Sequence, residues 1–158
     1  MRTRRTMNSE LPMKEIRCRL SWVEFLDPLS EEELGILLRG ARFVRLRKGE
    51  VMVLGPEEHA ERMLVVVAGQ LQVFEVHSAS EHELTLSVAG DGTAVGAATG
   101  LVPRWTRELH LRAIEPSLMC GIRSEDLERV VRTNPEVGLG LTCTLADQLQ
   151  RPPFSRSS

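Results

Sequence analysis

The sequence predicts a mainly β protein with flanking α-helices, an antiparallel β-roll or double-stranded jelly roll of cupin-like shape, and three observations carry that prediction. Between residues 44 and 122 apolar and polar positions alternate with a period of two, as in Val44 and Leu46, Leu71 and Val73, Leu84 and Leu86, and Leu109 and Leu111. The apolar runs are short and separated by glycine-bearing turns at Gly49, Gly55 and Gly69, which favours an antiparallel roll over a parallel sheet. Helical periodicity is confined to the two ends of the chain.

In chain order, residues 1–17 are polar and arginine-rich, with Arg2, Arg4 and Arg5 clustered, and read as a disordered basic arm, or as a start assigned too far upstream. Residues 18–134 read as the roll with its flanking helices. Trp22, Phe25 and Leu26 suggest a first short helix, and after Pro28 the run Ser30-Glu31-Glu32-Glu33 is a capping box. The serine hydroxyl accepts a helix-start N–H while Glu33 reaches back to the cap's own N–H. Leu34, Leu37 and Leu38 then form a stripe expected to pack on the roll. Val65-Val66-Val67 is continuously apolar, which predicts a strand buried on both faces. His77 to Glu83 reads as a polar hairpin tip, Ser124 as the cap of a helix through Val131, and Pro135 as the start of the last helix, over 135–151. Along that helix Val137, Leu141, Leu145 and Leu149 recur every fourth residue before Pro152-Pro153 ends it, leaving 152–158 as a tail. The stripe suits a coiled-coil-like dimer seam, or equally packing back on the chain's own roll.

A chain of 158 residues supports one core. Its net charge of −2 provides no concentrated basic surface of the kind DNA readers carry. Lys14 and Lys48 are the only lysines, a compositional bias toward arginine. No apolar stretch approaches the ~20 residues of a membrane span, and no signal-peptide core is seen, so no membrane partner is expected and the location is expected to be cytoplasmic. Cys18, Cys120 and Cys143 are odd in number and widely spaced, which suggests buried free thiols rather than disulfides or a zinc site.

The stretch R-L-R-K-G-E-V-M-V-L-G, from Arg45, and the strand L-V-V-V-A-G-Q-L-Q-V-F, from Leu64, resemble the β-roll of the cyclic-nucleotide-binding family, the sensory half of Crp/Fnr-type transcription regulators. Gly49, Gly55 and Gly69 match its glycines, Ala113-Ile114-Glu115 its later strand, and F-L-x-x-L-S-x-x-E-L its opening helices; the resemblance covers residues 20 to 150. It implies a phosphate-binding cassette of the form G-D-x-x-G-E, followed at a set distance by an arginine and a hydroxyl residue. Here Gly92 and Gly96 match the glycines, Thr93 replaces the acid, Ala97 replaces the ribose-binding glutamate, Arg107 falls on the arginine, and Glu108 replaces the hydroxyl. A carboxylate repels a phosphate, and a charge-assisted hydrogen bond of roughly 1.5–3 kcal/mol is missing at each lost contact. Arg107 is either an anion contact or a solvated arginine on the Pro103–Arg107 hairpin. The degenerate ligand-binding set is thus Gly96, Ala97, Ala98, Trp105, Arg107 and Glu108. No cofactor is implied, and the cassette argues against an ordinary cyclic nucleotide.

The resemblance therefore implies a non-catalytic regulatory domain that takes a small anionic effector, if any, and pairs as a homodimer or heterodimer through its last helix. No helix-turn-helix follows in this chain, so no specific DNA binding is expected of it alone. A stand-alone interaction module is the alternative reading. A cupin metalloenzyme shares the jelly-roll shape, and His59 with Glu61 invites that comparison. Arg62, however, stands where a metal-binding glutamate is needed, and His77, His82 and His110 are isolated, so neither a metal site nor catalysis is expected.

Overall fold

The structure is a computed structural model that describes residues 11–54, 61–77, 79–96 and 108–150. Its helices are α1 (Met13–Ser21), a 3-10 turn (Glu24–Leu26), α2 (Glu31–Arg39), α3 (Ser124–Thr133) and α4 (Pro135–Gln150). Between α2 and α3 lie the strands β1 (Arg42–Leu46), β2 (Val51–Leu54), β3 (Glu61–Val76), β4 (Glu83–Ala89), β5 (Ala94–Val95) and β6 (Leu109–Arg123). Every pairing among them is antiparallel.

Two long strands, β3 and β6, form the spine of the roll, and the sheet order is β1-β6-β3-β4 with β2 on β6 and β5 on β3. Each spine strand changes outer partner along its length. The N-terminal half of β6 pairs with β2 (Met52↔Leu111), and its C-terminal half pairs with β1 (Phe43↔Cys120). Likewise β3 pairs first with β5 (Val65↔Ala94) and then with β4 (Leu71↔Ala89).

The change of partner requires a bend, and β3 bends at Gly69. Register shifts occur on both sides of it, and its φ is +122°, a value that side chains strongly disfavour. A Cβ there would stand 2.6 Å from the Cα of Ser117 on β6. The Ser117 hydroxyl fills the gap, accepting from Gln70 N at 3.1 Å and donating to Glu115 O at 2.7 Å. The sequence places a turn between strands at Gly69, but β3 runs through it as a bulge, with Ser117 Oγ taking up the Gln70 N–H.

Period-two alternation sends the spine residues to two cores. Met63, Val65 and Val67 join Leu118, Cys120 and Ile122 beneath the helices, with Leu34, Leu37 and Leu38 of α2. Leu64, Val66, Leu71 and Val73 join Leu111, Ala113 and Met119 inside the roll. This is why Val65-Val66-Val67 is apolar without a break: both faces are buried, as the unbroken run predicts.

The helix ends are a mixed result. The Ser30 capping box is present, with Glu33 N bonded to Ser30 Oγ at 3.1 Å and Ser30 N to Glu33 Oε1 at 2.9 Å. Ser124, in contrast, is not a cap. Arg123 is the N-cap residue, and Ser124 Oγ is buried without a partner among the described residues. Asp126, also buried, anchors this helix start instead, bonded to Arg123 Nε at 3.0 Å and to Arg129 at 3.4 Å.

The arm expected over residues 1–17 needs correction, since Met13–Ser21 is helical and buries Ile16 and Leu20. Phe25 and Leu26 are buried in a single 3-10 turn, whereas Trp22 beside them is 81% exposed. Cys18 and Cys143 are exposed and only Cys120 is buried, where desolvation pushes its thiol up to about 12.

Candidate functional site

The start of the cassette is bonded tightly to β3. Val66 N donates to Thr93 O at 2.9 Å and Gly92 N to Val66 O at 2.7 Å, which closes a turn that only positive φ permits (Gly92, +82°). One residue earlier, Asp91 Oδ1 accepts from Gly69 N at 2.9 Å, and its other oxygen lies 3.9 Å from the Arg19 guanidinium on α1. Asp91 thus ties the bulge, the cassette start and the first helix together. Sequence reasoning missed it, because an aspartate in a Gly-Asp-Gly turn looks like turn chemistry alone.

Beside this turn a crevice of about 490 Å3 separates the cassette start from the last helix. Its walls are Val23, Glu24 and Phe25 at the start of the 3-10 turn, Gly92, Thr93 and Ala94, and Cys143, Thr144 and Asp147 of α4. The volume falls in the range of small-ligand sites. Among the described lining residues the only ionisable carboxylates are Glu24 and Asp147, and none is basic.

Of the cassette residues, Gly96 is half-buried with φ +82°, and Glu108 is exposed immediately before β6. Ala97, Ala98, Trp105 and Arg107 lie outside the described residues, as do His59 and Gly55. The stripe on α4 is used within the chain. Val137 and Leu141 are fully buried, packed with Phe25, Leu127 and Val130, and Leu145 is partly buried against the same cluster. A seam between chains made of Val137 and Leu141 is therefore corrected to intrachain packing, since side chains with no exposed surface are not available to a second chain. The side chain of Leu149 lies outside the described residues. On the outer side of α4, Leu139 is 66% exposed.

A second polar group sits on the outer face of the roll. Arg112 on β6 makes a two-pronged contact with Glu83 on β4, at 3.1 and 2.8 Å, and donates to Gln72 Oε1 on β3 at 2.8 Å. Gln72 Nε2 in turn donates to Thr85 at 2.8 Å. The guanidinium lies 4.6 Å from the centre of the Phe74 ring, and the His110 ring, tilted by 31°, lies 5.2 Å from it centre to centre. The hydrogen bond from Arg112 holds the Glu83 carboxyl below its ordinary value and raises the guanidinium in turn. The group staples three strands together. Alternation alone could not reveal it, because the partners become neighbours only once strand register is set.

The histidines are scattered. His77 N bonds His82 O at 2.8 Å at the hairpin tip, as the polar composition there predicts, and no group of three or more His, Cys, Asp or Glu that could hold a metal occurs among the described residues.

By sequence, no family model and no curated protein matches the chain. By structure it is similar to the sensor domain of the transcriptional regulator DNR from Pseudomonas aeruginosa, at 20% identity over 84% of this chain and 87% of that one, with a TM-score of 0.71. Against a longer structure of DNR the identity is again 20% over 84% of this chain, but only 58% of that chain is covered, with a TM-score of 0.67. The catabolite activator protein of Thermus thermophilus is similar at 21% identity over 80% of this chain and 58% of that one, with a TM-score of 0.65. The chain spans somewhat over half the length of these longer regulators and most of the isolated sensor domain. The antiparallel roll, its flanking helices and this extent of overlap together give the chain the fold of the cyclic-nucleotide-binding-type sensor domains of Crp/Fnr transcription regulators.

Proposed function

We propose that the chain is a non-catalytic regulatory domain of the Crp/Fnr type, working in the cytoplasm, whose effector is not an ordinary cyclic nucleotide. The observation that carries this reading is the cassette start, held on β3 in the sensor-domain fold with Gly92 and Gly96 at positive φ. The effector contacts around it are altered: Thr93 stands for the acid, Ala97 for the ribose-binding glutamate and Glu108 for the hydroxyl, leaving Arg107 as the anion-binding group. A small anion other than a nucleotide monophosphate suits that set. Calorimetry tests the claim: cyclic AMP and cyclic GMP should bind with dissociation constants above about 10 µM, roughly −6.8 kcal/mol. Tighter binding would overturn it. If Trp105 fluorescence responds to an organic anion, Arg107→Ala should abolish the response.

A dimer is part of the same reading, with its seam moved to the outer face of α4. Leu139, exposed where Val137 and Leu141 are not, supports that placement, and Cys143 and Ala146 continue the face. The partner is a second copy, or a related chain if the domain acts alone as an interaction module. Sedimentation of Leu139→Glu checks it, with a folded monomer expected.

A further inference from the structure

The crevice between the 3-10 turn and α4 encloses about 490 Å3, room for a small organic molecule. Its charge is of one sign. Glu24 enters from the 3-10 turn and Asp147 from α4, both exposed, and no lysine, arginine or histidine stands among the described lining residues. The Glu24 carboxylate makes no ion pair among the described residues. Two like charges bordering one small space repel, and a cation between them relieves the repulsion.

The hydrogen-bonding groups of the walls favour the same sign. Gly92 N–H is spent on Val66 O at 2.7 Å and Thr93 N–H on Gly90 O at 3.0 Å, so neither of these backbone donors is left for an anion. The Thr144 hydroxyl donates to Gly140 O at 3.1 Å, which leaves Oγ1 as an acceptor. An entering ammonium group therefore finds carboxylates and a hydroxyl lone pair for its N–H bonds, whereas a carboxylate or phosphate meets repulsion. A bare metal ion fits less well, since Glu24, Cys143 and Asp147 do not form a group that could hold one. Val23, Phe25 and Ala94 add apolar lining for a short carbon body.

We propose that this crevice binds a small organic amine, with Glu24 and Asp147 as counter-charges and Thr144 as a neutral acceptor. The bound amine clasps the 3-10 turn to the last helix, because its two charged contacts come from those two elements. None of these residues belongs to the set proposed to take an anion at Arg107, so the amine site stands or falls apart from that reading.

Nuclear magnetic resonance titration of the whole chain tests it, with backbone amide shifts followed against three probes of the same carbon chain: 1,4-diaminobutane, 1,4-butanediol and succinate. The diamine should shift the amides of residues 23–25, 92–94 and 143–147 saturably, with a dissociation constant of about 1 mM or tighter. The diol should bind at least about tenfold more weakly, and succinate should leave those amides unmoved. Glu24→Gln and Asp147→Asn should each weaken diamine binding about tenfold. Glu32→Gln, which removes an exposed carboxylate on α2 outside the crevice, should leave it unchanged. The same spectra report whether each variant is folded. Four results would overturn the site: no saturable shift from the diamine up to about 10 mM, shifts of equal size from the diol, shifts of these amides by succinate, or equal effects of Glu24→Gln and Glu32→Gln.

Discussion

Gly69 is the residue on which the roll's geometry turns. A side chain there meets two penalties at once, a φ of +122° and contact with the Ser117 backbone 2.6 Å away. Left-handed strain is worth roughly 1–2 kcal/mol and overpacking roughly 1–3 kcal/mol, so Gly69→Ala should lose at least about 2 kcal/mol. For a chain of this size that is a fall in Tm of roughly 4–8 °C, measurable by calorimetric melting. Glu83 makes a different kind of statement. Its hydrogen bond from Arg112 holds the carboxyl below its ordinary value of 4.5, so the ionised form is favoured in the folded state. The stabilisation is therefore complete above the ordinary carboxylate value and disappears as pH falls through the depressed folded value. Denaturant midpoints of the parent and Glu83→Gln should differ at neutral pH and converge in acid. A difference that persists unchanged below the carboxylate range would show that the charge plays no part.

At the scale of the element, the last helix has two faces with opposite sensitivities. Leu141→Glu places a carboxylate where no solvent reaches, and an unpaired buried charge is tolerated only by neutralisation or unfolding. Loss of cooperative folding is expected by circular dichroism. Leu139→Glu, on a side chain 66% exposed, should leave a chain that still unfolds cooperatively. The contrast separates the inner face from the outer one, and comparable damage from both substitutions would contradict the seating of the helix. The capping box of α2 is a milder device: Ser30→Ala should remove about 1 kcal/mol, because the N–H of Glu33 loses its acceptor to competition with water.

For the whole molecule, the near-balanced charge of −2 offers no concentrated basic surface to nucleic acid. Arg2, Arg4 and Arg5 still offer loose phosphate contact. Three arginines predict a salt dependence with log-log slope no steeper than about −3, without sequence preference, in mobility-shift assays. Deletion of residues 1–12 should abolish even that binding. Selective retention at physiological salt by the shortened protein would mean that some surface of the roll itself reads base edges.

The sequence by itself determined what depends on local chemistry. The period-two runs, the turn at Gly49, the Ser30 box and the unbroken Val65–Val67 strand are each decided by residues within a few positions of one another, and so are legible without a fold. Tertiary structure decided what depends on distant partners. Whether Val137 and Leu141 face a second chain or their own core, and that Asp91 reaches back to Gly69, follow from packing between segments far apart in sequence. An apolar stripe specifies that it will be buried but not against what, because the hydrophobic effect is non-directional. Only the closed roll, with β3 and β6 as its spine, brings the last helix onto the first 3-10 turn and leaves Leu139 on the outside.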